Sequence, residues 1–418
     1  MTKHEPGVSE SLQGRSLRSN SQPRSNPVLT DRALNLEMTP HTVTHPLVKR
    51  QDEPTYGSTQ ETASITSDSG SDPTAPSTTK SGNNPITTLE AQDPSLIGTI
   101  YTIDVMVDGV ALPVHVDTGS SQFWAAHDQC QECKQSNMTT IKTALPDGCG
   151  YDENAINITY ATGWVQGCHV NTSITLGEDT LQNYPVLAVI KAGGGAEAYG
   201  AYYSGLIGLG SEGPNPEGIS TVVTALYRQG AIQAPIVGFF LPKAGDSQES
   251  ELTFGDPTTS EHADGSNKVV LARQGGDSGN YIVRMDSFVI GSDTVSLGAD
   301  CVLDTGSSGI AVPQDSLAQI YQSAYGLDST DSGRVSCKPP ASNTGVWVTF
   351  GGKAFEVPYD DLVFPLANGN DDCAPLITSY SGDVSDIWLF GDAFLHNIYH
   401  SVNVQTGEVA IFELKGGQ

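Results

Sequence analysis

Two aspartates in this 418-residue chain stand in the same five-residue setting: Asp117-Thr118-Gly119-Ser120-Ser121 recurs as Asp304-Thr305-Gly306-Ser307-Ser308. Each copy follows a short apolar run, Val114-His115-Val116 in one and Cys301-Val302-Leu303 in the other. A carboxylate thus leaves a strand and enters a turn whose glycine lets the backbone bend and approach a ligand closely. The hydroxyls of Thr118, Ser120, Thr305 and Ser307, with nearby amides, are the expected donors that hold each carboxylate in one orientation. Two such groups brought together cannot both stay ionised, so they titrate as a unit and keep one proton. One member can then draw a proton from water as it attacks an amide carbonyl, while the other stabilises the gem-diol that forms. That chemistry is peptide hydrolysis with no metal and no cofactor. His115, just before Asp117, reads as a packed side chain of an alternating strand, not as a catalytic partner.

The elements that must position these groups are also repeated. Leu206-Ile207-Gly208 and Leu389-Phe390-Gly391 lie 89 and 85 residues after the respective aspartates. Two matched landmarks per half predict two homologous lobes that meet across a pseudo-twofold axis, with one aspartate from each. Strands and turns should dominate, because glycine is abundant and long helical periodicities are scarce. Two short helices are expected as packing elements. One covers 220–227 and ends by Gly230; the other carries Leu317, Ile320, Tyr321 and Ala324 on one face and ends near Gly326.

Composition divides the chain into three parts, and the duplication divides the third into two lobes. Residues 1–50 form a basic leader with seven Lys/Arg against four Asp/Glu, and it ends in the dibasic pair Lys49-Arg50, a candidate processing site. Residues 51–91 are rich in Ser, Thr, Gly and Pro and read as a disordered spacer. The first lobe is assigned to 92–256 and the second to 257–418. Beyond residue 50 there remain 13 basic and 44 acidic residues, a field that repels nucleic acid and anionic membrane surfaces and suits work in acid. No stretch is apolar and long enough to cross a bilayer, no signal-peptide core is visible in Met1–Asn20, and no hydrophobic anchor precedes Gln418.

Seven cysteines (Cys130, Cys133, Cys149, Cys168, Cys301, Cys337, Cys373) and glycosylation sequons at Asn137, Asn157 and Asn171 favour an oxidising export route. The first four cysteines can pair among themselves in three ways and spacing does not choose between them. Cys337 and Cys373 can close a late loop, which leaves Cys301 as a buried thiol.

On these residues the chain from about Leu96 to Phe412 resembles the pepsin-like aspartic peptidases, in particular fungal secreted members. The resemblance implies an all-β, bilobal fold of two homologous β-barrel lobes with an active-site cleft between them. It implies that Asp117 and Asp304 are the catalytic pair, with Gly119, Ser120, Gly306, Ser307 and Ser308 beside them. Ile158-Thr159-Tyr160-Ala161-Thr162-Gly163 looks like the family flap over bound peptide, with Tyr160 as flap tyrosine and Trp124 as its hydrogen-bond partner. Ala161 stands where the family usually has Gly, and Trp164 where it has a small polar residue; both bear on substrate preference. Leu252-Thr253-Phe254-Gly255 and Gly391-Asp392-Ala393-Phe394 match the ends of the two lobes, and the leader resembles a propeptide acting as intramolecular inhibitor. The implied protein is a secreted or vacuolar zymogen, a monomer, with polypeptide substrates.

Two other readings use parts of the same pattern. Actin-like and sugar-kinase ATPases also carry duplicated Asp-x-Gly-Ser/Thr loops, but with long helices and basic groups around phosphates that are missing here. A pepsin-fold binding protein that has lost catalysis is the alternative within the fold, against which stand both aspartates, both neighbouring serines, Tyr160 and Trp124.

Overall fold

A computed structural model describes residues 86–91, 99–150, 155–160, 163–193, 202–212, 218–243, 246, 248–275, 279–330, 333–341, 343, 345–366, 371–379 and 386–416. The basic leader, the spacer as far as residue 85, and the flap residues Ala161 and Thr162 lie outside the described residues.

The first half runs through β1 (Ile86–Ala91), β2 (Tyr101–Val107), β3 (Val110–Asp117), β4 (Phe123–Ala126), α1 (Gln131–Gln135), β5 (Ile156–Tyr160), β6 (Gly163–Leu176), β7 (Asp179–Gly193), β8 (Gly205–Gly208), α2 (Val222–Gln229), β9 (Ile236–Phe240) and β10 (Ser250–Phe254). In β2 the period of two is plain: Tyr101, Ile103, Val105 and Val107 are buried while Asp104 and Met106 are exposed. A tight hairpin joins β2 to β3 through Asp108-Gly109, both at positive φ (53° and 75°), the twist such two-residue turns require. From β2 the order continues β3-β8-β4-β7-β6-β5, and β6 also pairs with β2, which closes the strands on themselves.

The second half runs through β11 (Ala263–Leu271), β12 (Ile282–Ile290), β13 (Asp293–Leu303), β14 (Ile310–Val312), α3 (Gln314–Ile320), β15 (Val335–Ser336), β16 (Val346–Phe350), β17 (Lys353–Val357), β18 (Val363–Pro365), β19 (Asp372–Pro375), β20 (Ile377–Ser379), β21 (Trp388–Phe390), α4 (Asp392–Leu395), β22 (Tyr399–Asn403) and β23 (Val409–Leu414). Seven of these strands form one sheet in the order β17-β16-β12-β13-β21-β14-β20, beside a small sheet β15-β19-β18. A third layer belongs to both halves. It is the antiparallel run β11-β23-β22-β9-β10-β1, continuous with the first-half sheet through β2. This is the all-β, bilobal architecture expected from the duplication. No helix among the described residues is long and apolar enough to cross a membrane.

The structure corrects one boundary and refines two elements. Ile86–Ala91, assigned to the disordered spacer, is β1 and pairs with both β10 and β2, so ordered chain begins earlier than composition suggests. Its backbone is recruited by β2, ten residues on, and by β10, more than 160 residues away, and the second partner is one that a local reading cannot see. The helix expected over 220–227 is α2; its N-cap is Thr221, whose Oγ1 accepts from the Thr224 amide at 3.3 Å, and Gly230 ends it at φ 80°. The second helix widens after α3 into a π-turn, Tyr321–Tyr325, ended by Gly326 at φ 71°, with Leu317, Ile320, Tyr321 and Ala324 buried. Of the open pairings among the first four cysteines, the structure holds Cys130–Cys133 and Cys149–Cys168; Cys337–Cys373 is the third disulfide, and Cys301 is a buried free thiol.

One core residue sets an acid limit on stability. His400, in β22, is fully buried, stacks on Phe239 with ring centroids 4.7 Å apart, and has no partner for either ring nitrogen among the described residues. Burial drops its pKa to about 3. A pKa lowered by folding gives stability that is present above the ordinary imidazole range and lost as pH falls toward 3, up to about 5 kcal/mol in the limit. His400→Leu should therefore raise Tm far more at pH 3 than at pH 7, read by circular dichroism. An equal change at both pH values would contradict the assignment.

Candidate active site

The two halves bring their aspartates to the site by the same construction. Asp117 is the last residue of β3, which runs parallel to β8 with Val116 opposite Ile207 and Asp117 opposite Gly208. Asp304 follows β13, which runs parallel to β21 with Leu303 opposite Phe390. In each half a third strand returns antiparallel on the far side, β4 beside β8 and β14 beside β21. The second sequence landmark of each half is thus the strand beside the aspartate. It ends in glycine for a steric reason: a Cβ on Gly208 would lie 2.5 Å from the Gln122 amide nitrogen, and one on Gly391 would collide with the Ser307 carbonyl.

Within each loop the carboxylate is held by its own neighbours. Gly119 N–H donates to Asp117 Oδ1 at 2.7 Å and Ser120 Oγ–H to Oδ2 at 2.5 Å. In the other loop Gly306 N–H donates to Asp304 Oδ1 at 2.9 Å and Ser307 Oγ–H to Oδ2 at 2.7 Å. The threonines do not share that task, contrary to the sequence reading. Thr118 N–H donates to Thr305 Oγ1 at 3.1 Å, and Thr305 N–H donates to Thr118 Oγ1 at 3.0 Å. The same hydroxyls donate onward, Thr118 to the Leu303 carbonyl at 3.1 Å and Thr305 to the Val116 carbonyl at 3.0 Å. These four reciprocal bonds, between side chains at 0% and 1% exposure, lock one loop to the other beneath the carboxyls.

The carboxyls meet face to face. Each loop glycine backs onto the opposite aspartate, so that a Cβ on Gly119 would lie 2.7 Å from Asp304 Oδ1, and one on Gly306 would strike Asp117 Oδ1. Asp117 is 6% exposed and Asp304 8%. The pKa of Asp304 is pushed up, first by burial, then by the Asp117 charge and by a hydrogen bond between the two carboxyls, against the pull of Ser307 and Gly306. Such a pair retains one proton well into the range where isolated carboxylates are ionised.

The flap residues that are described form a hairpin, β5 against β6, with Tyr160 opposite Gly163 and Thr159 opposite Trp164. Trp124 Nε1–H donates to the Tyr160 hydroxyl at 3.1 Å, which ties the hairpin to β4. Trp164 is 39% exposed and closely neighbours Gly193 across the β6–β7 pair. Ser308, grouped with the site by sequence, turns away: its hydroxyl donates to the Thr99 carbonyl at 3.2 Å. Sequence reasoning uses Asp392 only as part of a signature. It is 1% exposed, neither carboxyl oxygen has a partner among the described residues, and burial followed by the Asp304 charge pushes its pKa well up, so it stays a neutral acid. The signal for it is an acidic residue inside an otherwise apolar run, Trp388-Leu389-Phe390-Gly391-Asp392-Ala393-Phe394.

Comparison with known proteins shows what the chain as a whole is similar to. The chain is 30% identical to Rhizopuspepsin-1 of Rhizopus niveus over 312 residues, covering 74% of this chain and 77% of the relative. It is 26% identical to Syncephapepsin of Syncephalastrum racemosum over 314 residues (74% and 76%), and 24% identical to a probable vacuolar protease A of Arthroderma benhamiae over 311 residues (72% and 75%). Residues 99–413, which carry both aspartate loops and the strands beside them, match the eukaryotic aspartyl protease family, and the chain belongs to that family.

Proposed function

We propose that this aspartic endopeptidase cuts polypeptides in acid through Asp117 and Asp304, which share one proton and activate one water. The observation that carries the reading is the contact of two buried carboxyls, each fixed by a glycine amide and a serine hydroxyl of its own loop. The ionised member takes a proton from water as the water attacks the scissile carbonyl; the protonated member donates to the carbonyl oxygen as charge develops there. Gly119 and Gly306 let the opposite carboxyl come close, Ser120 and Ser307 each orient the aspartate of their own loop, and Trp124 steadies Tyr160 on the flap. The chain is made as a zymogen whose basic leader covers the acidic cleft at neutral pH, lets go as carboxylates protonate, and is removed near Lys49-Arg50. Export to the cell exterior or an acidic vacuole, glycosylation of the exposed Asn137 and Asn171, and a monomeric state complete the proposal.

The test is hydrolysis of an unfolded protein near pH 3–4 with and without a statine-type peptide, with N-terminal sequencing of the acid-treated chain. Turnover should appear, stop with the inhibitor, and accompany loss of residues 1–50. Absence of turnover under all acid conditions, despite tight inhibitor binding, would favour a pepsin-fold binder instead.

A further inference from the structure

Tyr160 lies on a hairpin whose hold on the rest of the sheet is short. Strand β5 is at the edge of its sheet and pairs with β6, which is in turn backed by β7. The β6–β7 ladder shifts register between Gln166 and Gly167, opposite Lys191 and Val189, and leaves Ile190 with no residue across from it. Such a bulge bends a strand pair and interrupts its hydrogen bonding. Among the described residues three pairs follow it toward the flap: Gln166–Lys191, Val165–Ala192 and, outermost, Trp164–Gly193. Tyr160 and Gly163 close the hairpin beyond them.

Trp164 braces that outermost pair. Opposed residues of a hairpin share a face. Ile158 and Val165 turn inward to the core cluster that holds Trp124, while Thr159 and Trp164 turn outward and are exposed. The indole nevertheless lies against Gly193: a Cβ there would come within 2.7 Å of Trp164 Cζ2 and 2.9 Å of Cε2. Gly193 has no positive φ that would call for glycine, so what the position supplies is room for the ring. The hairpin is thus held on both faces, by the Trp124 hydrogen bond to the Tyr160 hydroxyl within and by a ring on a glycine outside.

We propose that Trp164 is a positioning residue for Tyr160: its indole, laid across Gly193, holds the flap hairpin in the arrangement that receives substrate. The inference rests on the endopeptidase reading above. The carboxyl pair is fixed by its own two loops, so a loosened hairpin leaves the chemistry on bound substrate in place. What falls is the fraction of molecules whose hairpin is set for binding, and apparent affinity falls by that same fraction.

The experiment compares wild type with Trp164→Ser, Trp164→Phe, Gly193→Ala and the double variant Trp164→Ser/Gly193→Ala on one peptide substrate. Trp164→Ser should raise KM about fivefold, the order of a cross-strand aromatic contact, with kcat unchanged. Calorimetry should show a statine-type peptide weakened by the same factor. Trp164→Phe keeps a ring over the glycine and should restore most of the affinity. Gly193→Ala leaves the hairpin sequence untouched, but its methyl displaces the indole and should raise KM as Trp164→Ser does. Combined, the two should do no more than either alone, because both remove one contact. Unchanged KM and inhibitor affinity in Trp164→Ser, even with a lowered Tm, would make it a packing residue and overturn the proposal. So would a full further loss when Gly193→Ala is added to it. Either result leaves the endopeptidase reading intact. A wild-type protein that cleaves no peptide overturns that reading, and inhibitor calorimetry then decides the role of Trp164 by itself.

Discussion

Replacing Asp304 with Asn is expected to lower kcat/KM by about 10⁴-fold or more, while raising stability at neutral pH. The two effects have one cause. Asn is nearly isosteric and can keep the hydrogen bond at Oδ1, so the loop survives, but it can neither hold nor release the shared proton. Asp117→Asn should be equally inactive. For stability the sign follows from the direction of the shift. The Asp304 pKa is raised on folding, to about 7, so the folded protein holds the proton longer than the unfolded chain. The stability this represents is fully present below about pH 4 and lost as pH climbs toward 7. The substituted amide carries no charge at any of these values, so the fall in wild-type Tm between pH 4 and 7 should be visibly flatter in the variant. Calorimetry across that range and progress curves on an unfolded substrate measure both halves. Turnover within tenfold of wild type would remove the carboxyl pair from the mechanism.

The second large effect is expected at the threonines. Thr305→Val keeps shape and volume but removes one hydroxyl from the interlocking set, leaving the Thr118 amide without its acceptor and the Val116 carbonyl without its donor. Both groups are buried, and orphaning them costs about 1–3 kcal/mol each. The loops should also drift apart, and a displacement of even 1 Å at the carboxyls costs about 10²-fold in kcat. Thr118→Val should do the same from the other side, and the double variant should fall short of the sum, since both act on one joint. Chemical denaturation and kcat, each against the two single variants, report it. Stability within about 0.5 kcal/mol of wild type, together with unchanged kcat, would show that the joint is held by something else.

Legibility in the amino-acid sequence depends on whether the cause of a feature is local or long-range. The aspartate loops and the glycine-ended landmarks are readable because the same backbone problem is solved twice. Each landmark is the strand lying parallel to an aspartate strand, with glycine where the aspartate loop passes over it. The Trp124–Tyr160 bond is equally accessible, through the resemblance. The threonines mislead because a hydroxyl one residue from a carboxylate looks as if it belongs to it, whereas its true partners lie 185–189 residues away in the opposite loop. Strand β1 is hidden for a similar reason: Ile86–Ala91 follows a polar spacer, and four of its six residues pair with β10, more than 160 residues away. Asp392 reads as part of a signature, and its place inside an apolar run is the single hint in the primary structure that its carboxyl will be sealed from water. The cysteine pairing needs Cα separations, 5.3 Å for Cys130–Cys133 and 5.9 Å for Cys149–Cys168, that spacing along the chain does not supply.

The sheet common to both halves has a consequence for how the protein comes into being. Strand β9 has β10 on one side and β22 on the other, and β22, Tyr399–Asn403, is made long after β9. While the polypeptide emerges from the ribosome, the early half is left with a naked row of amides and carbonyls along Ile236–Phe240 until Tyr399–Asn403 has followed it out. A nascent chain in that condition is a template for sticking to its neighbours, so translation arrest or a truncation just short of Tyr399 should yield aggregates and not a trimmed, half-sized protein.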